Sequence, residues 1–216
     1  MSPLLLQATT TTTLLLVVFL FLTPPTTTGD TVRDVMGHPL VAGQYYFALP
    51  VVISTIGGGL TMFNNGSDWC PDFIVARSTK YRDFGIPIKF DPQTPLPNDH
   101  IHTSSNLYIT FKHLSPQPLC RRYYTNMWGV STNINTDKAM VVLNGEKGWD
   151  SCLFTLEYYY DGLFTAGYKI LAKEKTVMYD DEHALLGLDS GTPLLVIFVK
   201  APKPRVKTYR SLSKSF

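Results

Sequence analysis

The chain has 216 residues, with 19 Lys and Arg against 17 Asp and Glu, a formal charge of +2 and 44% hydrophobic residues. That near balance of charge removes any general electrostatic reason to expect a nucleic-acid partner. The length suits one domain with a sizeable core rather than two.

The first element is an uninterrupted apolar run at 14–22, far shorter than the roughly 20 residues of a membrane-spanning helix. Small residues follow at Thr27, Thr28 and Gly29. Residues 1–29 are read as a signal peptide cleaved near Gly29, although only the terminal amine supplies positive charge ahead of the run. The domain is then 30–202, and the protein enters the secretory pathway, to be secreted or vacuolar.

Strands are expected at 45–53, 73–76, 86–90, 107–111, 140–143, 153–159, 168–172 and 194–200, all short and rich in β-branched or aromatic residues. Residues 107–111 and 153–158 alternate between two faces, as half-buried strands do. Turn formers separate the strands: Gly57-Gly58-Gly59, Asn64-Asn65-Gly66, residues 92–99, Asn144-Gly145 and residues 190–193. No window of a dozen residues carries a helical stripe, so the fold class is all-β, a sandwich or a closed barrel. Asn65-Gly66-Ser67 is a glycosylation acceptor on a turn-like segment. Lys203, Arg205, Lys207, Arg210 and Lys214 crowd 203–216 beside Pro202 and Pro204, with no acid after Asp189. That composition reads as a basic, disordered tail, with a sorting signal or a contact to an anionic surface as the alternative.

Three cysteines, Cys70, Cys120 and Cys152, allow three different single pairings. Enzyme constellations are missing: no G-x-S-x-G, phosphate-binding loop or dinucleotide glycine pattern occurs. His100-x-His102 beside Asp99 has spacing that would suit a zinc site, yet no third ligand is evident, and a solvated loop is expected. Asp180-Asp181-Glu182 is read as a water-facing turn. Neither a metal nor a cofactor is therefore expected, and catalysis is not.

One pattern is more specific. Val32-x-Asp34-x-x-Gly37-x-Pro39-Leu40, then Gly43, Tyr46 and Pro50, resembles the N-terminal signature of the plant Kunitz-type, soybean trypsin inhibitor-like family. Gly57-Gly58-Gly59-Leu60, Cys70-Pro71, Val75 with Arg77-Ser78, and residues 85–90 (GIPIKF) repeat that family's order and approximate spacing. Trp128, the Phe154 strand, Tyr168-Lys169-Ile170 and residues 195–200 fit its later strands. The resemblance covers nearly all of 30–202. It implies a β-trefoil, a six-stranded barrel capped by three hairpins with pseudo-threefold symmetry, which periodicity alone does not distinguish from a sandwich. It also implies a Cys70–Cys120 disulfide and, because the family's second bridge has no counterpart after Tyr168, an unpaired Cys152 thiol.

The resemblance further implies a function, inhibition of an endopeptidase by a loop held in its cleft. The longest polar interval, 91–105 (DPQTPLPNDHIHTSS), matches the family's reactive-site loop between the fourth and fifth strands. Pro92, Pro95 and Pro97 restrict φ and lower the entropy of the free loop, which reduces the ordering cost of binding. The reactive-loop candidates are Thr94, Pro95, Leu96 and Pro97, with the primary-specificity residue near Pro95 or Leu96. No Arg or Lys lies between Lys89 and Lys112 to meet a carboxylate at the base of a trypsin-like pocket, which argues against trypsin as target. Ala42 stands where many family inhibitors carry an Asn that props this loop, and an Ala side chain donates nothing. Met36 and Ala48 also depart from the family pattern, with local packing consequences only.

Because family members reach other protease classes through other loops, Arg121, Arg122, Tyr123 and Tyr124 are candidates for a second surface, the plainer reading being tyrosines packed on a barrel cap. The expected partner is an endopeptidase; no nucleic acid or membrane is expected, and the protein is expected to be a monomer. The alternative is a non-inhibitory β-trefoil that binds a small molecule or serves as a storage or taste-type protein. Cys70-Pro71 is shared with pigment-binding relatives, but their accompanying motif is not, and the Gln-x-Trp triplets of carbohydrate-binding trefoils are absent.

Overall fold

Six strands close into a barrel around buried apolar side chains. In the computed structural model, the residues described are 29–51, 56–64, 70–78, 83–112, 120, 125–132, 137–162, 165–180, 185–188 and 191–202. Residues 1–28 of the expected signal peptide, the basic tail, Asn65 and the second-surface candidates Arg121, Arg122, Tyr123 and Tyr124 lie outside them.

Fourteen strands are described in chain order: β1 (Tyr45–Pro50), β2 (Ile56–Phe63), β3 (Phe73–Ser78), β4 (Ile88–Pro92), β5 (Leu107–Phe111), β6 (Gly129–Thr132), β7 (Ala139–Val142), β8 (Phe154–Tyr160), β9 (Ala166–Ala172), β10 (Lys175–Thr176), β11 (Met178–Tyr179), β12 (Leu186–Gly187), β13 (Thr192–Pro193) and β14 (Leu195–Lys200). The first sheet runs β9-β14-β1-β4-β5-β8 and returns to β9, so the ring is closed and leaves those six strands without a free edge. The second sheet joins the hairpins β2–β3, β6–β7 and β11–β12 into a cap. Each third of the chain thus gives two strands to the barrel and a hairpin to the cap: β1 to β4, β5 to β8, and β9 to β14. This is the β-trefoil that the sequence pattern implied.

Inside the barrel, Tyr46, Ile88, Phe90, Ile109, Phe154, Leu156, Ile170, Val196 and Phe198 are buried. Phe90 meets Phe198 edge-on at 5.4 Å between ring centres. Trp128 is fully buried between Phe111 and Phe154, at 5.5 and 5.9 Å. Aromatic pairs of this kind add to the stabilisation from buried area.

Four expectations need correction. The alternation expected at 107–111 is absent, since all five side chains of β5 are buried; and Thr192–Pro193, read as part of a turn, is β13 paired with β11. Gly57-Gly58-Gly59 reads as a turn but lies inside β2, where the register shifts between Ile56 and Leu60. A Cβ on Gly59 would sit 1.7 Å from the Phe84 carbonyl oxygen, so backbone packs on backbone here and glycine is the residue that fits. The strand expected at 86–90 is β4, which runs on through Pro92, so the irregular part of the loop is shorter than composition suggested.

Candidate functional site

The loop between β4 and β5 leaves and re-enters adjacent barrel strands, whose pairing sets the separation of its ends. Phe90 pairs with Ile109 and Pro92 with Leu107. Just beyond the last pair, the Gln93 N–H donates to the Asn106 carbonyl at 2.9 Å, and the Asn106 side-chain amide donates to Gln93 Oε1 at 3.0 Å. The base of the loop is therefore clamped twice.

Its second half is built into the N-terminal segment. The Val32 N–H donates to the Ile101 carbonyl at 2.8 Å, Ile101 N–H to the Leu40 carbonyl at 2.9 Å, and Leu40 N–H to the Val32 carbonyl at 2.8 Å. Thr103 N–H donates to the Asp30 carbonyl and Ala42 N–H to the Asp99 carbonyl, both at 2.8 Å. Val32, Leu40 and Ile101 are fully buried, so an apolar anchor fixes a segment that is otherwise polar. Tyr46, buried in β1, extends this support: its hydroxyl accepts the Val41 N–H at 2.9 Å. The N-terminal turn is held in turn by the buried Asp34, whose Oδ1 accepts the Met36 and His38 N–H groups at 2.9 and 3.0 Å.

The crest carries the four sequence-derived candidates, and they differ in orientation. Thr94 and Pro95 are exposed, and Pro97 is exposed at the start of a 3-10 turn, Pro97–Asp99. Leu96 is extended, with φ −105° and ψ 149°, but half-buried and packed on the hydrophobic core. Its carbonyl accepts the Asp99 N–H at 3.2 Å. The chain bends at Gln93 and Thr94, is extended at Leu96, and then turns at Asn98 and Asp99, which adopt φ of 55° and 56°. A uniformly strand-like loop was expected, and the structure instead shows a bend at Gln93 and Thr94 and a tight turn after Leu96. Asn and Asp tolerate that left-handed geometry better than other side chains, and these two residues are the signal for it.

Charge is absent from the crest. Lys89, before it, is ion-paired to Asp91 at 2.7 Å, and Lys112, after it, lies over the Tyr45 ring at 5.3 Å. His100 and His102 are used structurally: His100 pairs with Val41, and His102 pairs with Thr31 and places Nδ1 2.9 Å from the Gly29 carbonyl. Among the described residues, no three His, Cys, Asp or Glu side chains come together to hold a metal.

Cys70 and Cys120 are joined in a disulfide, with Cα atoms 5.5 Å apart and a sequence separation of 50. Every crest residue lies between them in the chain, so a cut in the loop leaves both halves covalently joined. Cys152 is a free, buried thiol. Sequence reasoning missed the inward turn of Leu96 and the Tyr46 strut; the apolar Ile101 within DHIHTSS was the available signal for the anchor.

Elsewhere, a shallow cleft of about 340 Å³ opens between the N-terminal turn and the barrel wall, lined among others by Arg33, Val35, Tyr158, Tyr168 and Phe198.

Comparison with known proteins agrees with this fold. The family model Kunitz legume, described as trypsin and protease inhibitor, matches residues 32–200. Kunitz trypsin inhibitor 3 of Arabidopsis thaliana is 27% identical over 129 residues, 58% of this chain and 55% of its own. The chain spans about half the length of the curated relatives it matches. Among solved structures, a type II water-soluble chlorophyll-binding protein superposes with a TM-score of 0.66 at 26% identity, covering 80% of this chain and 99% of that one. Soybean trypsin inhibitor in complex with porcine pancreatic trypsin superposes with a TM-score of 0.63 at 23% identity, covering 80% and 100%.

Proposed function

The chain belongs to the legume Kunitz family, described as trypsin and protease inhibitor, and on that premise we propose that it inhibits an endopeptidase by inserting the crest of its β4–β5 loop into the active-site cleft. The observation that carries this reading is the double clamp on the loop: pairing at its base and the buried Val32, Leu40 and Ile101 anchor under its second half. A loop already held in shape loses little entropy on binding and, once cut, is kept close to its partner end, so resynthesis competes with release. The Cys70–Cys120 bridge supports the same outcome by keeping the cut ends on one molecule.

The lack of any Lys or Arg from 90 to 111 argues for a target other than trypsin. Passage through the secretory pathway, removal of residues 1–29, a glycan on Asn65, a basic tail at 203–216 and a monomeric state belong to the same proposal. Arg121, Arg122, Tyr123 and Tyr124 are the candidates for a second contact surface.

The test is retention on the immobilised protein of chymotrypsin, elastase, papain and pepsin, each offered with its active site free and with it covalently blocked. Retention of one free enzyme and passage of its blocked form is the expected result. Equal retention of both forms would place binding outside the cleft. A small-molecule role is the second reading, favoured by the likeness to a chlorophyll-binding protein and by the Tyr158–Tyr168 cleft. Its mark is a ligand-dependent rise in melting temperature.

A further inference from the structure

We propose that Pro95, and not Leu96, is the residue this loop presents to a peptidase's primary-specificity pocket, so that the target is an open-cleft endopeptidase accepting proline there. The inference rests on the inhibitor reading above and names its specificity.

Three peptide bonds connect Thr94 to Pro97, and each can be judged as the bond laid across the catalytic groups. Thr94–Pro95 and Leu96–Pro97 both have a proline nitrogen on the leaving side. That nitrogen carries no hydrogen, and its ring crowds the approach to the preceding carbonyl. Pro95–Leu96 alone offers an ordinary secondary amide.

Leu96 is disqualified a second time by where it sits. A specificity residue must give its side chain to the enzyme and its carbonyl oxygen to the oxyanion hole. The Leu96 side chain packs on the protein's own core, and its carbonyl already accepts the Asp99 N–H at 3.2 Å. Pulling both outward would break the contact that starts the 3-10 turn and with it the left-handed pair Asn98 and Asp99. Thr94 and Pro95 are exposed. Leu96 therefore acts as a positioning residue: it ties the leaving side of the Pro95–Leu96 bond to the barrel.

The pocket that receives Pro95 has to be apolar and shallow, since a pyrrolidine ring is compact and uncharged and no cation on the crest can reach a carboxylate at a pocket floor. An open cleft is required because the crest arrives on a folded barrel. If the enzyme slowly hydrolyses this bond, one water adds across it, leaving a carboxylate on Pro95 and an amine on Leu96, with the halves still joined through Cys70–Cys120.

The experiment measures inhibition of a post-proline-cleaving acid endopeptidase, elastase, chymotrypsin and trypsin by the protein and by Pro95→Arg, Leu96→Arg and Leu96→Met. The wild type is expected to bind the post-proline enzyme at least about a hundredfold more tightly than trypsin. Pro95→Arg should reverse that order. Leu96→Arg should lower the melting temperature and gain no hold on trypsin, while Leu96→Met keeps inhibition within about threefold. Prolonged incubation should give a new N-terminus at Leu96. Trypsin inhibition gained by Leu96→Arg but not by Pro95→Arg, or a new terminus at another residue, would overturn the assignment. Trypsin inhibition by Pro95→Arg without wild-type action on the post-proline enzyme would keep Pro95 at the crest and overturn the target class. No inhibition of any enzyme by any variant would remove the inhibitor reading, and this assignment with it.

Discussion

The backbone N–H of Ala42 donates to the Asp99 carbonyl at 2.8 Å, joining the N-terminal segment to the turn that follows the crest. The side chain at this position adds nothing to that bond, since Ala42 is half-buried and packs only by its methyl group. Replacing Ala42 by Asn supplies an amide beside the loop. The expected outcome is an inhibition constant lower by about threefold to tenfold, of the size of one added hydrogen bond. A slower dissociation rate at an unchanged melting temperature would identify the loop as the part that has tightened.

The phenols of Tyr46 and Tyr168 give a pH dependence. Burial pushes both above the ordinary tyrosine range, opposed by the N–H groups that their oxygens accept, from Val41 and Arg33 respectively. In the unfolded chain these phenols ionise near pH ~10. A group whose pKa is raised by folding stabilises fully below its unfolded value and loses that contribution as pH rises. The contribution of these two phenols to the unfolding free energy should therefore be constant through neutrality and fall above pH ~10. Denaturant midpoints for wild type, Tyr46→Phe and Tyr168→Phe between neutral and strongly alkaline pH check this: each Phe variant should fall less steeply.

Removing the disulfide, as Cys70→Ala with Cys120→Ala, should cost about 4 kcal/mol on the chain-entropy estimate for the 50-residue separation. The same loss should follow from reductant in the wild type. A chain cut at the crest should migrate as one species without reductant and as two with it.

Asp34 is buried, and its Oδ1 receives two backbone N–H groups of the turn below the loop. Asp34→Ala leaves those donors unpaired and should lower stability by about 2 to 3 kcal/mol, read by denaturant unfolding. Asp34→Asn, which keeps an acceptor, should lose less.

Part of the barrel was legible because some strands alternate: Phe154 and Leu156 are buried while Thr155 and Glu157 are not, and the same two-residue rhythm runs through β1 and the start of β4, whereas β5 is buried on both faces. The cap was less so. β11 and β12 are two residues each, too short to show a period, and β2 opens on three glycines that read as a turn until Phe84 is seen packed against Gly59. That the fold is a trefoil came from the spacing of Asp34, Gly37, Pro39 and Tyr46 as a family pattern, since alternation describes strands and not their order around a barrel. At the crest, composition marks a segment but not the direction of its side chains. Leu96 lies among prolines and polar residues, and only the path of the chain over the barrel rim turns it inward.

The most direct test of the central claim is a titration of chymotrypsin, elastase, a post-proline-cleaving endopeptidase, papain and pepsin with the folded protein, beside a variant in which the crest, residues 94–97, is replaced by a Gly/Ser segment. The account predicts stoichiometric inhibition of at least one enzyme and its loss on replacing the crest. Inhibition that survives the replacement, or none at micromolar concentration from a protein that melts cooperatively, would contradict it.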